Sequence, residues 1–269
     1  MMHSPRPSNW VFVLKSFPVG AAIAGLVAVS WIWATVVAFS LPEEPVLFVL
    51  AFAGTFLVYT ADRFSFLSPE DVFNNRITAS DFALLWWISI ALVVVLSGVV
   101  IWSRWLWQPA LWVACLAALY VFPVIHGKRL KEFGNIKTIW VVFVWGVGGV
   151  VLPILFFRGE WPENGVSSVL YRMCYILPNI LISDYLDRSG DLMFEIKPLF
   201  FNWPLPKLRQ IMWLGTLMGV GFWTYTPFPL EDLMGLLAIT LLATCALPHS
   251  LFRHGLDLAV AWPMLYLAF

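Results

Sequence analysis

Ile176-Leu177-Pro178-Asn179-Ile180-Leu181-Ile182-Ser183-Asp184-Tyr185-Leu186-Asp187-Arg188-Ser189-Gly190-Asp191 passes from the end of a buried apolar helix into three aspartates and an arginine. An isolated strand of such apolar composition would leave its backbone unpaired in lipid, so helix is the sensible secondary structure. Carboxylates crowded at the mouth of an apolar helix repel one another and resist desolvation. A divalent cation would relieve both problems, and hard oxygen ligands suit magnesium, Mg2+. On this stretch alone, an acidic solvated loop or helix end is the plainer alternative.

The surrounding composition sets the class. The chain has 269 residues, of which 61% are hydrophobic and 12% charged, with 16 Trp and 22 Phe. Soluble domains rarely look like this; a polytopic membrane protein does. Sixteen basic residues balance sixteen acidic ones, so nothing points to nucleic acid. Cys115, Cys174 and Cys245 lie in apolar segments with no metal-ligand spacing and read as small core hydrophobes.

A span needs about 20 mostly apolar residues. Nine stretches qualify: Phe17–Leu41, Pro45–Ala61, Phe82–Ile101, Trp105–Ile125, Thr138–Phe157, Val166–Ser183, Leu208–Phe228, Leu233–Leu251 and Gly255–Phe269, the last being short. The expected fold is all-α, a membrane bundle of about nine transmembrane helices around a central cavity. Residues 1–16 form an N-terminal segment and 17–269 a single transmembrane domain. The first span follows a polar, proline-containing segment with no evident cleavage site, so it reads as a span and not as a removed signal peptide.

Charge then orients the bundle. Arg6, Lys15, Arg63, Arg76, Lys128, Arg129, Lys131, Lys137, Arg188, Lys197, Lys207, Arg209 and Arg253 fall on one side; Arg104, Arg158 and Arg172 are assigned to the other. The positive-inside rule puts the N-terminus and the long loops in the cytoplasm and the C-terminus outside, in an inner or cytoplasmic membrane. The basic side also carries most of the acids. Orientation alone does not call for those acids. A site for a metal and a phosphorylated ligand would use both signs, carboxylates on the metal and Lys or Arg on phosphate oxygens.

Two acidic helix ends stand out. Span 2 leads into a long cytoplasmic loop through Tyr59-Thr60-Ala61-Asp62-Arg63, and span 6 into another, running from Asp184 to Lys207, through Asp184-Tyr185-Leu186-Asp187-Arg188. The Asp-Arg step recurs at the same depth four spans apart, which suggests two aspartate-bearing ends facing one cavity. An interfacial Asp–Arg anchor is the alternative for Asp62. After span 4, Tyr120-Val121-Phe122-Pro123 leads into His126-Gly127-Lys128-Arg129-Leu130-Lys131, a basic loop that could attract a diphosphate or simply orient the chain. His126 reads as an interfacial residue. Gly146, Gly148 and Gly149 fit close helix packing. Trp86, Trp87, Trp102, Trp105, Trp107 and Trp112 fit an interfacial aromatic belt. No HExxH, GxxxxGK[ST], CxxCH or Ser-His-Asp order is present, so zinc, nucleotide-hydrolysis and haem readings have no support.

Taken together, these features resemble the UbiA superfamily of intramembrane prenyltransferases. The family's second motif, D-x-x-x-D with a following lysine, is matched by Asp187-Arg188-Ser189-Gly190-Asp191 and Lys197. Its Tyr-Pro-…-Lys-Arg pattern is matched by Tyr120, Pro123, Lys128 and Arg129. The first motif, N-D-x-x-D-x-x-x-D, departs from the pattern: Val58, Tyr59 and Phe66 occupy three of its positions and only Asp62 survives. The resemblance implies magnesium-dependent transfer of a prenyl group from a polyprenyl diphosphate to an aromatic or other lipophilic acceptor. It implies Asp62, Asp187 and Asp191 as catalytic residues, with Asp184 joining them as metal ligands. Arg76, Lys128, Arg129 and Lys197 would bind diphosphate. The eroded first motif keeps open a non-catalytic relative, a subunit or scaffold binding lipid or pigment beside other membrane proteins. A transporter lacks the inverted repeat and mid-membrane charges it would need.

Overall fold

A computed structural model describes residues 17–64, 79–102, 107–122, 130, 133–158, 160–193, 199–245 and 259–263. These residues are helical throughout apart from their connections, and no strand occurs among them. Eight helices follow in order: α1 Phe17–Ala38, α2 Pro45–Phe64, α3 Ala79–Trp102, α4 Trp107–Val121, α5 Gly134–Arg158, α6 Gly165–Met193, α7 Leu205–Trp223 and α8 Leu230–Cys245. Each overlaps one of the nine expected spans. Of the ninth, Gly255–Phe269, only residues 259–263 are described, and they are mostly helical. Among the described residues three stretches, Gly20–Ala38, Ile136–Phe157 and Gly165–Arg188, are long and apolar enough to cross a membrane.

Tight connections follow α1 at 39–44 and α7 at 224–229, and residues 160–164 lead into α6. The first is closed by a Schellman cap. Ser40 takes φ 50°, the Leu41 N–H bonds the Val36 carbonyl at 2.8 Å and the Ser40 N–H bonds the Val37 carbonyl at 3.1 Å. The left-handed residue turns the chain at once into Pro42-Glu43-Glu44-Pro45, where proline cannot extend α1.

The packing has two halves joined through α1 and α5. α1 packs on α2, and α2 also meets α3 and α4; α5 packs on α6, and α6 meets α7 and α8. α1 and α5 run parallel, since Trp31 meets Trp145 with ring centroids 5.7 Å apart and Thr35 meets Gly149 four residues further along each helix. Glycines set these close approaches. A Cβ on Gly149 would lie 3.0 Å from the Trp31 ring, and one on Gly146 would collide with the Met173 side chain. Gly148, between them, has open space, so two of the three glycines act as the packing sites expected of the group.

Pro153 lies inside α5. It lacks the N–H that would bond the Gly149 carbonyl four residues earlier. Thr35 of α1 supplies the missing donor: its hydroxyl donates to the Gly149 oxygen at 2.7 Å and is fully buried. A backbone defect in one helix is thus satisfied by its neighbour, as an apolar medium requires.

The expected end of span 6, Ser183, is corrected by ten residues: α6 continues to Met193. The acidic motif, expected at the start of the loop that follows span 6, is therefore part of the helix. Packing explains the extension. Leu181, Ile182, Tyr185 and Leu186 bury against Leu208 and Met212 of α7 and against Phe200 and Trp203. Hydropathy marks where lipid ends, whereas helix continues as long as one face has something to pack on.

Candidate functional site

Because α6 is unbroken through Met193, its aspartates acquire a helical register. Asp184, Asp187 and Asp191 are spaced by three and four residues and fall on one face of the helix. α5 runs antiparallel to α6, and its first turn reaches Asp184. The Thr138 hydroxyl donates to Asp184 Oδ2 at 2.6 Å, and Lys137 Nζ lies 3.5 Å from Asp184 Oδ1. The Lys137 and Asp184 side chains are 18% and 14% exposed, so the pair is largely removed from water and less screened than a surface pair. Asp187, one turn further along, adds like charge to the same region.

Beside Asp184 is a cleft lined by Leu181, Asp184, Tyr185, Arg188, Phe200, Phe201 and Leu208. The Arg188 guanidinium carbon lies 4.9 Å from the Phe201 ring centroid and 5.7 Å from that of Tyr185. One step along the same aromatic segment, Phe200 meets Trp203 edge-on at 5.0 Å, and Lys207 Nζ sits 5.4 Å from the Trp203 ring. Chemically this end of α6 combines carboxylates, cations and aromatic walls.

The other residues expected at the site are distributed as follows. Asp62 belongs to the last turn of α2 and Asp191 to the last turn of α6, but their side chains lie outside the described residues, as do Arg76, Lys128, Arg129 and Lys197 entirely. α2 connects to α6 through α1 and α5. Among the described residues no group of three His, Cys, Asp or Glu side chains converges. Asp184 has one oxygen against a hydroxyl and the other against an ammonium, so it is better suited to position its neighbours than to face a metal.

The structure also contains a polar centre that charge counting misassigned. Arg172, assigned to the poorly charged side as an orienting cation, is fully buried in α6 and paired with fully buried Asp232 of α8 at 3.0 Å. Its guanidinium carbon lies 4.1 Å from the Phe228 centroid, 5.2 Å from Trp31, 5.3 Å from Tyr175 and 5.7 Å from Tyr171. Asp232 stands in the first turn of α8, where the helix dipole favours a negative charge. The Trp31 indole N–H reaches out of the cage to the Val260 carbonyl at 3.0 Å, and the Ser30 hydroxyl to that of Ala261 at 3.1 Å. The available sequence signal was an arginine seven residues into an apolar stretch, which marks a buried partner sooner than a loop. Along α6, Arg172 and Asp184 are separated by about 18 Å, so the cage and the acidic cleft are distinct sites. No family model, curated protein or solved structure matches the chain.

Proposed function

We propose that the chain is a UbiA-like intramembrane prenyltransferase, moving a prenyl group from a polyprenyl diphosphate to an aromatic or other lipophilic acceptor. The observation that supports it most is the continuity of α6 from apolar core to Met193, which gives Asp184, Asp187 and Asp191 one helical face. In this reading Asp187 and Asp191 hold magnesium, and Asp62 and Asp184 support them. Bound magnesium supplies positive charge where the leaving diphosphate accumulates negative charge. Arg76, Lys128, Arg129 and Lys197 contact the diphosphate oxygens. The bond between the prenyl C1 and the diphosphate oxygen breaks, diphosphate leaves with the electron pair, and the acceptor forms its bond to C1 and gives up a proton. Apolar walls keep water from the allylic cation-like carbon. Nine spans with the basic loops in the cytoplasm complete this picture.

The test uses full-length protein in detergent with magnesium, radiolabelled geranylgeranyl or farnesyl diphosphate and host lipid extract as acceptor. Asp187→Asn or Asp191→Asn is expected to lower magnesium-dependent diphosphate release by about 100-fold or more. Absence of magnesium-dependent turnover with every prenyl length rejects the enzyme. The second reading, a non-catalytic relative serving as a lipid- or pigment-binding subunit, draws on the engagement of Asp184 by Lys137 and Thr138, a contact that also serves as a simple tie between α5 and α6.

A further inference from the structure

We propose that Arg188 is a direct anion anchor of the cleft at the end of α6, contacting the phosphoryl head of an amphipathic ligand. Taking that ligand to be a prenyl diphosphate rests on the prenyltransferase reading; the anion chemistry does not. Arg188 shares the cleft with Asp184, Tyr185 and Phe201, and its guanidinium is 4.9 Å from the Phe201 centroid. Ring faces hold a guanidinium through its own flat face, which leaves its edge donors available for ligand oxygens. Among the described residues no carboxylate pairs with Arg188, and Asp184 in the same cleft is drawn instead to Lys137 and Thr138. A planar fork of donors beside two rings at the mouth of the cleft suits bidentate contact with phosphoryl oxygens.

The position fits a need particular to this chain. Its first acidic motif keeps Asp62 alone, with Val58, Tyr59 and Phe66 at the other motif positions. One carboxylate on that side holds a second metal weakly, so a cationic side chain at the head group adds charge that a second metal would otherwise bring. Arg188 supplies it permanently, next to Asp187 and without a metal.

The experiment measures binding of geranylgeranyl S-thiolodiphosphate, which resists cleavage, to full-length protein in detergent, in magnesium and again in EDTA. Arg188→Gln is expected to weaken binding about tenfold or more in both media. Arg188→Lys is expected to fall between Arg188→Gln and the parent, and Lys207→Gln to stay within about twofold of the parent, because Lys207 lies against Trp203 outside the cleft lining. Unchanged affinity in Arg188→Gln overturns the proposal. If that variant does not fold, Phe201→Leu takes its place: it removes the stack and keeps the charge, and unchanged affinity there overturns the proposal equally. If the parent protein binds no thiolodiphosphate under any condition, the prenyltransferase reading fails, and the anchor is tested in phosphatidylcholine nanodiscs with and without phosphatidic acid. Binding of phosphatidic acid that is lost in Arg188→Gln supports the anchor with a lipid head as its ligand; binding that is absent or insensitive to the substitution rejects it.

Discussion

Arg172 shows how much one side chain decides in an apolar protein. A fully buried guanidinium is tolerated because Asp232 and four rings surround it. Removing one member of such a pair costs more than removing both, since the survivor stays buried with its charge. Arg172→Met is expected to destabilise the protein by about 3–5 kcal/mol, and adding Asp232→Leu to recover most of the loss. Thermal unfolding in detergent of the single and double variants checks this; equal losses in both would mean that the ring cage matters and the charge pair does not. Sequence spacing did not disclose the pair, because its members stand 60 residues apart. The same holds for Asp184 and Thr138, 46 residues apart, although each residue type was visible.

At the scale of elements, hydropathy located all eight described helices but misplaced their ends where packing, not lipid, set the limit. α6 is the clearest case, carried past Ser183 by Tyr185 and Leu186 burying against α7 and the aromatic segment before it. The α1–α5 contact gives a second test. Thr35→Val leaves the Gly149 carbonyl without its buried donor and is expected to cost about 1–3 kcal/mol. In a Pro153→Ala background α5 regains its own N–H for that carbonyl, so the same substitution should cost clearly less. A double-mutant cycle read by thermal unfolding measures the coupling; additive losses would show that Thr35 contributes packing alone. The proline was legible in the sequence, but the helix that repairs it was not.

For the whole molecule, the expectation is that the tight connections face outside and the basic segments face the cytoplasm. On a cysteine-free background, a cysteine at Glu43 or Glu163 should react with an impermeant maleimide in intact cells, and one at Lys131 only after lysis; the reverse pattern would invert the proposed topology. Neutralising Arg172 should leave this pattern unchanged, since a buried paired cation contributes nothing to the charge bias of a loop. The sequence by itself determined that the chain is helical and built for an apolar medium. In a long uncharged stretch a helix satisfies the backbone groups within the segment itself, and that constraint is local. It also determined that Asp184, Asp187 and Asp191 recur at helical spacing. Only the tertiary structure decided that they share one continuous helix, that Asp184 is held by Lys137 and Thr138 while Arg188 lies on Phe201, and that Arg172 meets Asp232 inside a cage of rings. Those outcomes depend on which helix packs against which, and hydropathy along a single chain does not encode the choice of neighbour.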